Sequence, residues 1–255
     1  MKKERMREPD DRAENIVCGR NAVIELLRSG RSTDKIVLAE GASEGSVSMI
    51  EAMAKSAGIP VVRADRNKLN ALSCGANHQG VVAFTAGVEY VSVEDILKIA
   101  EERGQPPFVV LCDGIEDPHN LGAVIRSAEC SGAHGVIIPK RRAAAITPVT
   151  VKSSAGACEH MAIAKVTNIA ATVDLLKEKG LWIYAAEADG VSIYSQDMRG
   201  PAAFVMGGEN TGVSHLVREK SDFTISIPMY GKVNSFNVST AAAVILCEAA
   251  HQRNQ

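Results

Sequence analysis

From residue 108 onward the chain alternates short apolar runs with stretches of helical period. Runs at 108–112, 135–138, 162–166, 181–185, 202–206 and 223–227 predict strands. Periodic segments at 120–130, 149–157, 169–179, 215–220 and 238–251 predict helices. Strands that are apolar at nearly every position are buried on both faces, which predicts a parallel sheet covered by helices. Residues 16–86 predict a smaller α/β unit, with helices at 23–27 and 46–57 and strands at 35–39, 60–62 and 80–84. Between the two, 88–107 reads as a joint. It holds a helix start at Ser92-Val93-Glu94-Asp95 and is broken by Gly104-Gln105-Pro106-Pro107. The expected organisation is therefore a disordered charged leader (1–14), a small domain (15–87), a linker (88–107) and a larger domain (108–255).

Three polar, glycine- and asparagine-punctuated turns follow apolar runs and precede helical patterns. They are Asp117-Pro118-His119-Asn120-Leu121-Gly122, then Met206-Gly207-Gly208-Glu209-Asn210-Thr211-Gly212, then Ile227-Pro228-Met229 running on to Asn234-Ser235-Phe236-Asn237-Val238-Ser239. Ligands of open α/β sheets sit at the carboxyl ends of the strands, so the three turns predict one composite pocket. A dinucleotide fingerprint and a phosphate-binding P-loop are both absent from the first turn and from Gly207-Gly208.

Composition narrows the chemistry. Apolar residues make up 46% and charged residues 23% of the chain, as in ordinary globular proteins, and the net charge is −2. Nucleic-acid contact must then rest on local patches. Aromatics are 4%, which argues against a binding mode built mainly on stacking. Six cysteines without a Cys-x-x-Cys spacing predict buried reduced thiols, with no zinc and no disulfides. No apolar run is long enough to span a membrane, and the leader has no signal-peptide core, so the expected location is cytoplasmic.

Individual residues carry ordinary readings beside functional ones. Asn120 and Asn237 suit helix N-caps, Arg126 a solvated helix face, and Glu209 a surface loop charge. Gly207 and Gly208 would let backbone approach a ligand. Lys140-Arg141-Arg142 forms a basic turn, and Arg63, Arg66 and Lys68 form a weaker basic patch. His78 reads as a turn residue, and nothing suggests a metal.

Together the three turns, with Arg126, Pro139-Lys140-Arg141-Arg142 and Ser153-Ser154-Ala155-Gly156-Ala157, resemble the SpoU (TrmH-like) family of RNA ribose 2′-O-methyltransferases. Gly19-Arg20-Asn21-Ala22-Val23 and His78-Gln79-Gly80-Val81 resemble that family's accessory RNA-binding domain. The resemblance implies a SPOUT-type α/β fold: a parallel sheet ending in a C-terminal trefoil knot, preceded by the small RNA-binding domain, in a homodimer. It implies S-adenosylmethionine (AdoMet) as cofactor and RNA as partner. It places Asn120, Arg126, Glu209, Ser235 and Asn237 in the catalytic site. It assigns Gly207, Gly208, Ile227 and Phe236 to the cofactor, although the family usually has Leu where Phe236 stands. Lys140, Arg141, Arg142, Arg63, Arg66 and Lys68 become RNA contacts. The two-domain arrangement is most similar to the branch that methylates a guanosine of 23S ribosomal RNA. A transfer-RNA branch, an adenosine-modifying resistance branch and a non-catalytic RNA-binding factor are the alternatives.

Overall fold

A computed structural model describes residues 16–255 apart from 44, 74–75, 86–88 and 210. The expected leader, Cys74 and Asn210 therefore lie outside the described residues. The chain forms two compact units, one built from residues up to Glu89 together with Ile146–Glu159, the other from Tyr90–Ala145 and His160–Gln255.

The smaller unit holds a four-stranded sheet. Its strands are β1 (Ile16–Cys18), β2 (Thr33–Ala39), β3 (Val61–Ala64) and β4 (Val81–Thr85), in the order β1-β4-β2-β3. Only the β2–β3 pair is parallel. Helices α1 (Arg20–Ser29) and α2 (Ser46–Ser56) are as the periodicity predicts. Helix α3 (Arg66–Leu72) is not in the sequence expectation, though Asp65 caps it by accepting from the Lys68 amide at 3.0 Å. The stretch Ile146–Glu159, expected inside the larger domain, packs here instead. Its helix α6 (Pro148–Ser153) starts at the Thr147–Thr150 capping box and sets Val149 against the small core. Arg31 grips the fully buried Glu159 carboxylate with two hydrogen bonds of 3.0 and 2.9 Å.

The larger unit is a six-stranded sheet, wholly parallel, in the order β10-β8-β9-β5-β6-β7. The strands are β5 (Phe108–Asp113), β6 (Gly135–Pro139), β7 (Ile163–Val166), β8 (Trp182–Ser192), β9 (Ala202–Gly207) and β10 (Phe223–Ser226). Its helices are α4 (Val93–Glu102), α5 (Pro118–Cys130), α7 (Ile169–Glu178), α8 (His215–Lys220) and α9 (Val238–Arg253). β5, β6 and β9 are buried almost residue for residue, which is why they read as unbroken apolar runs. β8 runs past its apolar part. Its polar second half continues because Gly190 lies flat against the β10 backbone, where a Cβ would meet Ile225 atoms at 2.6 Å. Helix α4, in the stretch read as a joint, is part of this core: Ile96 and Ala100 are fully buried, and Ile96 fills the space beside Gly135.

Cys18, Cys112 and Cys158 are buried, and burial pushes the thiols of Cys112 and Cys158 up to about 12. Cys130 and Cys247 are exposed, a departure from the expectation of buried thiols. Among the described residues no cluster could hold a metal ion, and no helix is long and apolar enough to cross a membrane.

At the amino-terminal edge of the larger sheet, buried His134 accepts from the Phe108 amide through Nδ1 at 3.0 Å. Its Nε2 meets Gln105 Oε1 at 3.0 Å, so that nitrogen carries the proton of a neutral ring. Burial, with help from the Arg103 and Arg253 charges, pushes its pKa from 6.5 down to about 4. The unfolded chain therefore takes up this proton first as pH falls. Stability should drop between pH 6.5 and about 4, by at most about 1.4 kcal/mol per pH unit for this group. Melting temperatures across that window check it: His134→Asn, which does not titrate, should flatten this component of the slope.

Candidate active site

The three polar turns leave the carboxyl ends of β5, β9 and β10. Because the sheet is parallel, all three emerge on one edge. The turn after β9 is folded by backbone proximity. A Cβ on Gly207 would lie 2.1 Å from Gly212 C and 2.2 Å from Val213 N, and one on Gly208 would lie 2.3 Å from Gly114 O. Both glycines are thus required by the chain's own packing, whatever ligand approaches. Two carboxylates hold the returning chain. Glu187 of β8 accepts from the Val213 amide at 2.5 Å, and Asp113 of β5 accepts from the Ser214 amide at 2.8 Å. Sequence reasoning missed Glu187 and Asp113. The only hint was an acidic residue near the end of a predicted strand.

Asn120 does not cap α5. Asp117 does, accepting from the His119 amide at 2.8 Å, with Pro118 in the first turn, where a missing N–H costs nothing. That leaves the Asn120 side chain free to bridge two loops: its Nδ2 donates to Glu209 Oε1 at 2.5 Å, and its Oδ1 accepts from Asn237 Nδ2 at 3.1 Å. Asn237 itself caps α9, its Oδ1 accepting from the Ser239 and Thr240 amides. One amide therefore serves as a cap on its oxygen and as a link on its nitrogen. Residues 120, 209 and 237, up to 117 positions apart in sequence, form one hydrogen-bonded chain.

Beside this chain lies a cavity of about 220 Å³. Gly207, Gly208, Ile227, Phe236, Ser235 and Glu209 all line it, so the four candidate cofactor residues and two of the candidate catalytic ones share one space. Met206, Ile225, Ala241 and Ile245 supply apolar wall, and among the described residues the only charged lining groups are the carboxylates of Glu187 and Glu209. A flat apolar ligand bearing positive charge suits such a lining. Arg126 is exposed on α5, nearly two turns beyond Asn120, and does not line the cavity. Lys140, Arg141 and Arg142 are exposed on the turn after β6. That turn is tied to the β5 loop by the Ala144 amide donating to Ile115 O at 2.8 Å, so the basic residues sit on the same edge of the sheet.

In the smaller unit the basic candidates separate. Arg63 is engaged by Glu51 and the Ala42 carbonyl. Arg66 and Lys68 are exposed on α3. His78 is buried, its Nδ1 accepting from the Gly80 amide at 3.0 Å and its Nε2 set against Asn70 at 2.9 Å. Burial first, then the charges of Arg66 and Lys152, lower its pKa. Lys152, which sequence reasoning passed over, thus joins Arg66 around a neutral histidine. Arg20 meets the same turn, donating from Nε to Gln79 O at 3.1 Å.

Comparison with known proteins agrees with this geometry. Residues 107–247 match the SpoU rRNA Methylase family, and residues 16–91 match the RNA 2′-O ribose methyltransferase substrate-binding family. The chain is 43% identical over 241 residues to a Bacillus subtilis protein, covering 94% of this chain and 96% of the relative; that protein's name assigns it to the TrmH family of tRNA/rRNA methyltransferases. A Staphylococcus haemolyticus protein with a name of the same kind is 42% identical over 242 residues, with 94% and 96% covered. Among solved structures, the SpoU methyltransferase AviRb of Streptomyces viridochromogenes, crystallised with AdoMet, shares the fold. The TM-score is 0.80 at 24% identity, covering 98% of this chain and 94% of that one.

Three substitutions test the architecture. Asn237→Ala should lose the cap and about 1 kcal/mol of stability, whereas Asn237→Asp keeps the cap oxygen, loses only the donor to Asn120, and should melt within about 0.5 kcal/mol of the parent. Gly207→Ala should destabilise by about 3 kcal/mol, because backbone rather than a movable side chain stands in the way. Denaturant titration reads all three.

Proposed function

Because this chain belongs to the SpoU (TrmH-like) family of RNA methyltransferases, we propose that its site transfers a methyl group from AdoMet to a ribose 2′-hydroxyl of RNA. The observation that carries the reading is the Asn237–Asn120–Glu209 chain beside a cavity whose charged lining, among the described residues, is acidic. AdoMet, when bound, supplies a methyl group already activated on a sulfonium. The acidic, apolar-walled cavity fits a ligand with that positive charge, and Gly207, Gly208, Ile227 and Phe236 would hold its adenosine part.

The protein's own work is positioning. A hydroxyl is a weak nucleophile and gains most from being held in line. A guanidinium is a planar, permanently charged fork, so the role assigned to Arg126 is to clamp the phosphate beside the reacting ribose. Ser235, lining the cavity, faces the ribose. Glu209 orders its loop through Asn120, and Asn237 ties that loop to the start of α9. Lys140, Arg141 and Arg142 extend the phosphate-binding rim, and Arg66, Lys68 and Lys152 provide the contacts of the smaller unit. Division of charge supports the scheme: among the described residues the charged groups lining the cavity are carboxylates, and Lys140, Arg141 and Arg142 are exposed on the same edge of the sheet.

The reading includes the family's trefoil knot, homodimer and cytoplasmic setting, and a guanosine of 23S ribosomal RNA as target. The small unit, matched to a substrate-binding family of RNA 2′-O ribose methyltransferases, supports RNA as the substrate.

Tritiated methyl transfer to total RNA of a strain lacking the protein, followed by 2′-O-methyl mapping, tests it. Label at one large-subunit guanosine is expected; label in transfer RNA overturns the substrate, and no label overturns the activity. Arg126→Lys should lose most turnover. Glu209→Gln keeps an acceptor for Asn120 and should retain most of it, while a base at Glu209 would make that variant inactive. Asn237→Asp should lower kcat at near-parental stability.

A further inference from the structure

The loop joining β10 to α9 begins and ends in the cavity wall: Ile227 and Met229 line it near the loop's start, Ser235 and Phe236 near its end. The segment between, Tyr230-Gly231-Lys232-Val233-Asn234, must therefore run along the cavity rim. Tyr230 is 97% exposed, the largest exposure among the large hydrophobic and aromatic side chains of the described residues. Its Cα is about 3.8 Å from that of Met229, a cavity-lining residue. Val233 is 73% exposed and Lys232 is exposed beside it. Trp182, by contrast, has Phe223 as a ring partner at 5.7 Å, whereas among the described residues no ring contact or hydrogen bond engages Tyr230. An aromatic face held in water at the mouth of a site, with a cation two residues away, suits a nucleobase, which presents a π-face, and its phosphate, which presents negative charge.

The geometry points to Tyr230 as a stacking platform for the base of the nucleotide being methylated, with Lys232 on its phosphate. This rests on the RNA-methylation reading and deepens it, because it defines the substrate class. A base paired within a continuous helix is already stacked on both faces and cannot lie on the ring. The substrate is RNA whose target nucleotide is unpaired and splayed out of a loop, bulge or end. Scarcity of aromatics does not oppose this, since a single well-placed ring is enough for one base.

The test compares the parent with Tyr230→Phe and Tyr230→Ala in methyl transfer to total RNA from a strain lacking the protein, with AdoMet affinity measured by calorimetry. Tyr230→Phe should stay within about twofold of the parent. Tyr230→Ala should raise KM for RNA by about 5- to 150-fold with AdoMet affinity unchanged, and the mapped nucleotide should be unpaired. An unchanged KM in Tyr230→Ala overturns the proposal, as does a labelled nucleotide inside continuous duplex. Loss of AdoMet affinity would assign the ring to the cofactor loop, and a changed sedimentation coefficient would assign it to contact with a second copy; either overturns the proposal. Should the parent transfer no methyl group at all, the methylation reading fails by itself. Filter binding of the same RNA then decides: weaker binding by Tyr230→Ala but not Tyr230→Phe upholds stacking, and equal binding ends it.

Discussion

The candidate site depends on backbone meeting backbone at the end of β9. Gly207 lies against the Gly212–Val213 peptide and Gly208 against the Gly114 carbonyl, at separations no side chain tolerates. That contact folds the turn after β9 tightly back on itself and presses it on the loop after β5. The glycines act less by conformational freedom than by their missing Cβ. From this contact follows the position of Glu209, which the returning turn presents to Asn120. Glu187 and Asp113 then fix the far side of the turn through the Val213 and Ser214 amides.

Once the turn is placed, two amides complete the site at little cost in new structure. Asp117 has already capped α5, so Asn120 can spend both ends of its side chain on long-range bonds. Asn237 divides its two ends between capping α9 and reaching Asn120. Local helix chemistry and the tertiary link therefore share one residue, which couples the start of α9 to the loops after β5 and β9. Exposed hydrogen bonds of this kind add little to stability individually. Their value lies in holding three loops in one arrangement beside an acidic cavity.

The two units distribute charge differently. In the larger one, cations lie outside the cavity and carboxylates within it, an arrangement that separates a cationic ligand from an anionic polymer. In the smaller one, a neutral buried histidine is ringed by Arg66 and Lys152, whose charges oppose its protonation. Arg63, by contrast, is occupied by Glu51. Sequence proximity made Arg63, Arg66 and Lys68 look like one patch, but partners reached through the fold split it.

The larger sheet and its helices were legible in the sequence because buried parallel strands must be apolar at nearly every position, and β5, β6 and β9 are. The three turns were legible because their glycines, asparagines and prolines break apolar runs, although Gly207, Gly208 and Asn120 answer to contacts made elsewhere in the fold. Elements whose stability comes from elsewhere were not. Helix α3 has few buried residues, the second half of β8 is polar and held by β10, and Ile146–Glu159 packs on strands more than sixty residues earlier in the chain. The roles of Asn120 and Asn237 divide in the same way. An asparagine at the start of a helix fits a local cap, and for Asn237 that is half of what it does. The cap of α5 by Asp117 is local, but only the tertiary structure decided that Asn120 joins two loops, because which partner an amide finds depends on chain segments that the parallel sheet brings to one edge.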